Sequence, residues 1–330
     1  MRWPDRAVAV RVPATSANLG PGFDALGLAL TLYDRVEARV TGGGLTIDVS
    51  GEGRDTAGLG EDHLVVRAMR AAFEMSGAQP PGLALRCGNR IPHGRGLGSS
   101  AAAIVAGILA ARALAPRDTP ALEGDTPAPG GGTKALDGDA VLKLASDLEG
   151  HPDNVAACLA GGLTVAWPEP DGPRLVRLNP LPEIVPVACV APAPLATEQT
   201  RKVLPEAVSH ADAAANAGLA ALLVAALTAE PSALLAATGD RLHQPFRFPV
   251  MPGTADLVRR LRAGGIPAVV SGAGPSVLAF LVRGTSPGLD VLDSIVTETG
   301  TGWLVSPLNV DRHGARVEST PLAAHPETDA

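Results

Sequence analysis

The chain has 330 residues, of which 46% are hydrophobic and 18% are charged. This composition excludes a largely disordered chain, because enough apolar side chains are present for a sizeable core, and the length allows two domains. The formal net charge is -7, and the one basic cluster, at 259–262, has its arginines at helical spacing; both features argue against nucleic acid as a partner.

Apolar periodicity and glycine or proline breakers place the elements of the first half of the chain. Strands are predicted at 7–12, 28–40, 45–49 and 83–87, and helices at 63–76 and 101–115. Residues 116–138 follow, and they contain many prolines, glycines and acidic residues without periodicity. That segment predicts a flexible insert.

The second half continues the mixture of strands and helices. Helices are predicted at 139–148 and from 254 to Gly264-Gly265, with two alanine-rich helices before His243, and strands at 162–167, 184–190, 268–271 and 277–282. The polar, proline-containing tail at 320–330 predicts disorder. The order of elements indicates an α+β fold, and periodicity alone goes no further.

The stretch from Ile91 to Ala102 places three glycines and two serines directly before a long apolar run. A glycine-rich turn that leads into a helix leaves backbone N–H groups free at the positive end of the helix dipole, and this arrangement binds phosphate. No lysine follows Gly98, as a P-loop requires, and Pro92 stands where the strand of a dinucleotide-binding turn would end. The alternative is an ordinary serine-capped helix.

Three other segments accompany this turn: Pro13-Ala-Thr-Ser-Ala-Asn-Leu-Gly-Pro-Gly-Phe-Asp24, Glu149-Gly-His-Pro-Asp-Asn-Val155 and Ser271-Gly-Ala-Gly-Pro-Ser276. In this order and spacing, the four motifs resemble those of the GHMP kinases, the superfamily of galactokinase, homoserine kinase, mevalonate kinase and phosphomevalonate kinase. The first two of these segments are most similar to the homoserine kinase versions. The resemblance extends from about residue 8 to about residue 282.

This resemblance implies a two-lobed GHMP kinase fold with the active site between the lobes. The N-terminal, ribosomal-protein-S5-like lobe is expected at 1–167 and includes the insert at 116–138. The C-terminal, ferredoxin-like lobe is expected at 168–319, followed by the tail at 320–330.

The resemblance assigns ATP to the glycine-rich turn and Mg²⁺ to Ser100 and Glu149, with Asp147 as the alternative metal ligand if the helix register differs. The expected ATP-binding residues are His63, Pro92, His93, Gly94, Arg95, Gly96, Leu97, Gly98, Ser99, Ser100, Ala101 and Ala102. His63 stands where the family usually has an asparagine that contacts the base. A helix start capped by Asp62 is the alternative interpretation of that position.

An amino-acid acceptor needs a carboxylate for its ammonium group and an arginine for its carboxylate. The resemblance to homoserine kinases assigns L-homoserine to Asn18, Asp24, His151, Asp153, Asn154, Thr197, Arg201, Arg247, Gly272 and Gly274. Taken singly, Asn18 is typical of a turn, Asp24 of a helix cap and either arginine of the protein surface.

The function that the resemblance implies is ATP-dependent phosphorylation of the L-homoserine hydroxyl to O-phospho-L-homoserine, in threonine biosynthesis. Ser100, Glu149, Thr197 and Arg201 are expected to stabilise the transition state. No general base is expected, so the hydroxyl proton would pass to a phosphate oxygen. The alternatives are another small-molecule GHMP kinase, of the mevalonate or diphosphocytidyl-methylerythritol type, and a non-catalytic nucleotide-binding regulator with this fold.

Three cysteines, Cys87, Cys158 and Cys189, lie far apart and lack metal-binding spacing, which is typical of core residues in a reducing compartment. The charged N-terminus lacks the apolar segment of a signal peptide, and the alanine-rich stretch 213–229 contains Asn216 and Gly218, so a soluble helix is expected there rather than a membrane span. We therefore expect a cytoplasmic protein without a membrane partner, and the resemblance makes a homodimer possible.

Overall fold

The computed structural model describes residues 3–55, 60–116 and 138–318. Most of the predicted insert at 116–138 and the whole predicted tail at 320–330 lie outside the described residues. The strands are β1 (Ala7–Ala17), β2 (Leu26–Thr41), β3 (Gly44–Gly51), β4 (Gly82–Asn89), β5 (Leu163–Trp167), β6 (Arg174–Leu178), β7 (Ile184–Val190), β8 (Ala268–Val270), β9 (Val277–Val282), β10 (Leu304–Pro307) and β11 (Arg316–Glu318). The α-helices are α1 (Leu64–Met75), α2 (Ser99–Leu114), α3 (Asp139–Glu149), α4 (Pro152–Ala160), α5 (Thr197–Lys202), α6 (His210–Thr228), α7 (Leu234–Ala237), α8 (Gln244–Arg247), α9 (Pro252–Ala263) and α10 (Leu289–Glu298).

The first sheet has seven strands in the order β11-β1-β2-β4-β3, with β5 beside β2 and β6 beside β5. All of its pairs are antiparallel except β3 with β4. Pro13 has no N–H to donate to the ladder, and the β1–β2 register shifts between Pro13 and Ala14. Directly after this bulge, the Thr15 N–H donates to the carbonyl of Leu97 at 3.0 Å. The bulge therefore lies where β1 meets the glycine-rich turn.

Helix α2 is apolar on every side, and most of its side chains from Ala101 to Leu114 are buried. A helix with this pattern belongs in the interior, and α2 packs between α1 and β1. A Cβ on Gly107 would lie 2.5 Å from the carbonyl oxygen of Val65, so only glycine allows α1 and α2 to approach this closely. This packing holds the N-terminus of α2 in a fixed position.

The second sheet has four antiparallel strands in the order β10-β7-β9-β8. Helices α9 and α10 pack together, and α9 covers β8 and β9. This arrangement agrees with the ferredoxin-like lobe expected for the second half of the chain. Two strands of the segment 168–319 lie elsewhere, because β6 pairs with β5 and β11 pairs with β1 in the first sheet.

Helix α6 is, among the described residues, the one helix long and apolar enough to cross a membrane by length and composition. Only 22% of its most apolar window is buried. Asn216 lies inside it and is itself buried, where its side-chain amide donates to the Pro21 carbonyl at 2.7 Å. The helix therefore makes a specific polar contact with the N-terminal loop.

Candidate active site

The glycine-rich turn, here called the phosphate loop (Pro92–Gly98), connects β4 to α2. Gly94, Gly96 and Gly98 all have positive φ, between 64° and 72°, a conformation that side chains disfavour. A Cβ on Gly96 would lie 2.2 Å from the Ser271 carbonyl oxygen, and one on Gly98 would lie 2.0 Å from Oγ1 of Thr15. The loop thus needs its glycines both for backbone conformation and for close packing.

Helix α2 begins at Ser99, and Gly98 occupies the N-cap position without any side-chain cap. Ser99 is therefore the first residue of the helix and not its N-cap, so the alternative of an ordinary serine-capped helix does not describe this turn. Because no side chain caps α2, the free N–H groups of its first turn remain available to an anion.

Ser100 and Glu149 are brought together from α2 and the end of α3, as the metal prediction requires. The Ser100 hydroxyl donates to Oε1 of Glu149 at 2.6 Å. Burial raises the pKa of Glu149, although the Ser100 hydrogen bond opposes the shift. The alternative ligand, Asp147, instead pairs with Lys143 at 2.8 Å on an exposed face of α3. A hydroxyl and a carboxylate beside a phosphate loop fit the hard oxygen ligands of Mg²⁺.

Further along the cleft is the loop after β1, which carries Asn18 and Asp24, both with positive φ. Of these two residues, Asn18 lines the cleft. The Asn18 side chain donates to the Gly272 carbonyl at 2.8 Å and accepts from the Asp24 N–H at 2.9 Å. Asn18 therefore fixes this loop against the Ser271–Ser276 loop, as a turn residue would. Asp24 does not cap a helix, because β2 follows it.

Asp24 forms a bidentate ion pair with Arg201 of α5, with N–O distances of 2.8 and 3.2 Å. Burial of Arg201 lowers its pKa, but the hydrogen bond and the charge of Asp24 outweigh this effect and raise the pKa. Thr197, one turn earlier on α5, lines the same cleft. The predicted threonine–arginine pair therefore faces the cleft from one short helix.

The motif at 149–155 contributes a second buried polar cluster at the start of α4. Nδ1 of His151 lies 2.7 Å from Oδ1 of Asp153, which also accepts the Asn154 N–H at 2.8 Å. Burial lowers the pKa of His151, but the hydrogen bond and charge of Asp153 outweigh it and raise the pKa. Oδ1 of Asn154 accepts from the Thr15 hydroxyl at 2.8 Å, and Asn154 lines the cleft.

Arg247 is wholly buried, yet it lines the cleft. Its Nε donates to the Thr200 carbonyl at 3.2 Å, and its Nη1 reaches His243 at 2.9 Å and the Gly272 carbonyl at 3.3 Å. Nη2 is buried without a hydrogen-bond partner among the described residues. Burial and the charge of Arg201 lower the pKa of Arg247 to about 10, so it stays a cation at neutral pH.

One cleft thus joins the phosphate loop, the Ser100–Glu149 pair and the charged residues of both halves of the chain. It is lined by Asn18, Gly94, Gly96, Gly98, Ser99, Ser100, Glu149, His151, Asp153, Asn154, Thr197, Arg201, Arg247, Gly272 and Ala273. Fourteen of these fifteen lining residues, all but Ala273, were predicted site residues. The arrangement can hold a polyphosphate at one end and a small zwitterion at the other.

Comparison with known proteins identifies the family. Residues 63–162 match the family model described as GHMP kinases N terminal domain. The homoserine kinase of Streptomyces coelicolor is 53% identical over 322 residues, which cover 98% of this chain and 97% of that protein. The homoserine kinase of Mycobacterium tuberculosis is 43% identical and covers 91% of this chain and 90% of its own length. The chain belongs to the homoserine kinase family.

Solved structures agree on the fold of this member of the homoserine kinase family. The homoserine kinase of Cytophaga hutchinsonii matches with a TM-score of 0.79 at 24% identity, covering 96% of this chain and 99% of that one. The mevalonate kinase of L. major, in complex with R-mevalonate, matches with a TM-score of 0.63 at 13% identity, covering 95% and 100%. At these identities the likeness shows the two-lobed GHMP kinase fold alone.

A second pocket adjoins the cleft at Ser99 and Ser100 and contains His63, His93 and Ala102. Nδ1 of His63 is buried without a hydrogen-bond partner among the described residues. Burial, and then the charge of His93, lowers the pKa of His63, so its ring is neutral near pH 7. His63 itself occupies the N-cap position of α1 without a side-chain hydrogen bond; Asp62 is therefore not the cap.

Several predicted nucleotide residues line neither pocket. Arg95 donates to the carbonyls of Ala191 and Pro192 at 2.9 and 3.1 Å and to the carbonyl of His93 at 3.4 Å. Leu97 and Ala101 are buried in the core. The remaining three predicted residues outside both pockets are Pro92 and, from the predicted acceptor residues, Asp24 and Gly274. Asp24 nevertheless contacts the cleft lining through its ion pair with Arg201.

Besides Ala273, two residues that hold the site in place, Asp34 and His243, were not predicted from the sequence. Asp34 accepts the N–H groups of Arg90 and Ile91 at 2.6 and 2.9 Å and so holds the start of the phosphate loop. Its signal was its place in the alternation of β2, because it lies two residues before buried Val36, on the face where apolar residues are expected. His243 was detectable, because its spacing of four residues from Arg247 puts both side chains on one side of a helical turn.

Proposed function

We propose that this protein is a cytoplasmic enzyme that transfers the γ-phosphoryl group of ATP to the hydroxyl of L-homoserine, giving O-phospho-L-homoserine for threonine biosynthesis. The observation that carries the proposal is Arg247, a buried cation that lines the same cleft as the phosphate loop and whose Nη2 has no hydrogen-bond partner among the described residues. A buried N–H without a partner costs about 1–3 kcal/mol, and more when charged. A carboxylate on the acceptor would remove this cost.

For the nucleotide, the phosphate loop and the first turn of α2 would hold the triphosphate through backbone N–H groups. The base would lie in the second pocket, where Nδ1 of His63 is the unpartnered polar atom. Ser100 and Glu149 would hold Mg²⁺, which neutralises phosphate charge when bound. Two protein ligands suit this ion, because it keeps phosphate oxygens and waters as its other ligands.

For the acceptor, Asp24 would bind the ammonium group and Arg247 the carboxylate. Asp24 forms an ion pair with Arg201, so the substrate ammonium would replace one cation beside Asp24 with another. Arg201 is then free to turn toward the transferring phosphoryl group. This requirement for an ammonium separates homoserine from mevalonate, which has a carboxylate but no amine.

In the transfer itself, the homoserine hydroxyl oxygen forms a bond to the γ-phosphorus while the bond to the β–γ bridging oxygen breaks and ADP leaves. Ser100, Glu149, Thr197 and Arg201 are the residues that would stabilise this transition state, chiefly by neutralising charge and fixing the in-line geometry. The hydroxyl proton would pass to a phosphate oxygen of the product, without a side-chain base.

A panel of acceptors tests the proposal in one coupled assay of ADP release. L-homoserine, mevalonate, diphosphocytidyl-methylerythritol and galactose are offered with MgATP, and we expect turnover with L-homoserine alone. Turnover with another acceptor in its place would identify a different GHMP kinase. Nucleotide binding by calorimetry without turnover of any acceptor would favour the non-catalytic regulator.

A further inference from the structure

His243 lies directly before α8, and its side chain is wholly buried. Both ring nitrogens have partners: Nε2 is 2.8 Å from the carbonyl oxygen of Gly20, and Nδ1 is 2.9 Å from Nη1 of Arg247. The ring therefore connects the loop that carries Asp24 to the arginine that lines the cleft.

These two partners determine which nitrogen of His243 carries the proton. A carbonyl oxygen only accepts, so Nε2 must donate to Gly20; a guanidinium only donates, so Nδ1 must accept from Arg247. Burial lowers the pKa of His243 to about 4, although the charges of Asp240 and Asp24 oppose the shift. The ring is therefore neutral at neutral pH, with its acceptor nitrogen toward Arg247.

This acceptor determines how Arg247 is oriented. Among the described residues, His243 is the only side chain that accepts a hydrogen bond from Arg247; the other acceptors are the backbone carbonyls of Thr200 and Gly272. Together these three partners occupy Nε and Nη1 and leave Nη2 free. A planar guanidinium held along that edge presents its remaining N–H groups in one fixed direction.

The ring also fixes Arg247 relative to the rest of the acceptor site. Phe23 stacks on His243 at 5.2 Å between centroids with an interplanar angle of 25°, and the Arg247 guanidinium lies 5.5 Å from the Phe23 ring. Gly20 and Phe23 belong to the same loop as Asp24. His243 thus sets the separation between a carboxylate and a cation that would bind the two charged groups of an α-amino acid.

We infer that His243 is a positioning residue that directs Nη2 of Arg247 at the acceptor carboxylate and so makes the enzyme selective for α-amino acids. The inference rests on the proposed function, because it gives Arg247 the carboxylate as its ligand. His243 itself touches no substrate.

The test compares L-homoserine with L-homoserine amide, which keeps the ammonium, the hydroxyl and the chain length but lacks the negative charge. H243F retains a stacking ring and removes both hydrogen bonds. We expect it to raise KM for L-homoserine about tenfold, with kcat and the KM for ATP little changed, and to leave kcat/KM for the amide unaltered. The preference for acid over amide should therefore fall about tenfold.

H243N is the matched control, because its Oδ1 can accept from Arg247 near the position of Nδ1. We expect it to recover most of the preference for the acid. If H243F does not fold, H243Q takes its place, since it reaches Gly20 but removes the acceptor from Arg247. In an R247Q background, H243F should add little, because both changes remove the same interaction.

Equal losses on the acid and the amide, or full additivity with R247Q, would show that His243 only supports the fold and would overturn the inference. Failure of the proposed function has a different signature. In that case, the wild-type protein does not phosphorylate L-homoserine, or R247Q leaves the preference for the acid unchanged. If R247Q abolishes the preference while H243F retains it, the inference alone fails.

Discussion

At the scale of single residues, the charged groups of the proposed acceptor site are mostly paired with one another. Asp24 holds Arg201, and Asp153 holds His151. Each pair satisfies side chains that would be costly to leave alone in a closed cleft. An acceptor with an ammonium and a carboxylate can exchange with such partners without leaving a charge uncompensated, which a neutral sugar alcohol cannot do.

Asp24→Asn tests this exchange. Removing the carboxylate leaves the substrate ammonium with a neutral partner, and the loss of one charge-assisted hydrogen bond corresponds to about a 10- to 100-fold rise in KM for L-homoserine. Because no proton is transferred to Asp24 in the proposed reaction, kcat should remain within a few-fold of the wild-type value. Steady-state kinetics measures both constants.

Asp147→Asn is the matched control, since Asp147 lies on the same helix as Glu149 but pairs with Lys143 outside the cleft. It should change neither constant. The opposite pattern in Asp24→Asn, a large loss of kcat at unchanged KM, would indicate that Asp24 removes the hydroxyl proton. Asp153→Asn is open to the same comparison.

At the scale of elements, the phosphate loop is held by its contacts with β1 and with the Ser271–Ser276 loop. Gly96 has φ +72°, and a Cβ there would overlap the carbonyl oxygen of Ser271 at 2.2 Å. The positive φ of Gly96 and the carbonyl oxygen of Ser271 are both features of the backbone, so no side-chain rotation can relieve them. The position of the phosphate loop is therefore set jointly by β1, near the N-terminus, and by the Ser271–Ser276 loop in the second half of the chain.

Gly96→Ala should displace the phosphate loop from this contact. The strained φ and the overlap together should cost about 3 kcal/mol of unfolding free energy or more, and ATP affinity should fall at least about tenfold. Denaturant unfolding and nucleotide calorimetry measure the two effects.

Gly218→Ala is the comparison variant, because it lies inside α6 with open space around its Cα. Alanine should stabilise this helix by up to about 1 kcal/mol without any change in ATP affinity. A Gly96→Ala protein as stable as wild type, with normal ATP affinity, would contradict the packing described for the loop.

Elements with strong local signals were predictable from the sequence. β7 and β9 have the predicted bounds, and α2 begins within two residues of the predicted start. By contrast, β11 has three residues and exists because β1 offers it an edge, which no local pattern reveals. Helix α4 was not predicted, and its first turn carries the polar residues Asp153 and Asn154, which line the cleft.

The candidate site was predictable through its motifs rather than through its geometry. The four motifs supplied most residues of the cleft, including Glu149, and the wider resemblance to homoserine kinases supplied Arg247. They could not reveal that Arg247 is wholly buried with one nitrogen unpaired, since burial depends on how α8 packs beneath the Ser271–Ser276 loop. The pairing of Asp24 with Arg201 joins residues 177 positions apart and likewise required the tertiary structure.

At the scale of the whole molecule, buried His243 links proton uptake to unfolding. Its pKa is about 4 in the folded protein and near 6.5 when exposed. The unfolded chain therefore binds more protons between these values, so the stability that this group contributes is present above pH 6.5 and is lost as the pH falls toward 4. The slope for one group is at most about 1.4 kcal/mol per pH unit.

H243F should remove this part of the pH dependence. Denaturant unfolding of wild type and H243F should be measured at several values between pH 6.5 and pH 4.5. The unfolding free energy of wild type minus that of H243F should fall steadily as the pH falls. Other titrating groups are common to both proteins and cancel in that difference. A constant difference across the range would mean that the ring is not held neutral in the folded protein.

The last described strand has a consequence for how the protein can be divided. Arg316–Glu318 pairs with Ala7–Ala17 in the first sheet. The polypeptide therefore returns to the first lobe after it has formed the second. A fragment ending at residue 167 would lack β6 and β11 and would expose the ribbon edge of β1 to any extended chain nearby. We therefore expect the two halves of the chain to fold together rather than as independent domains.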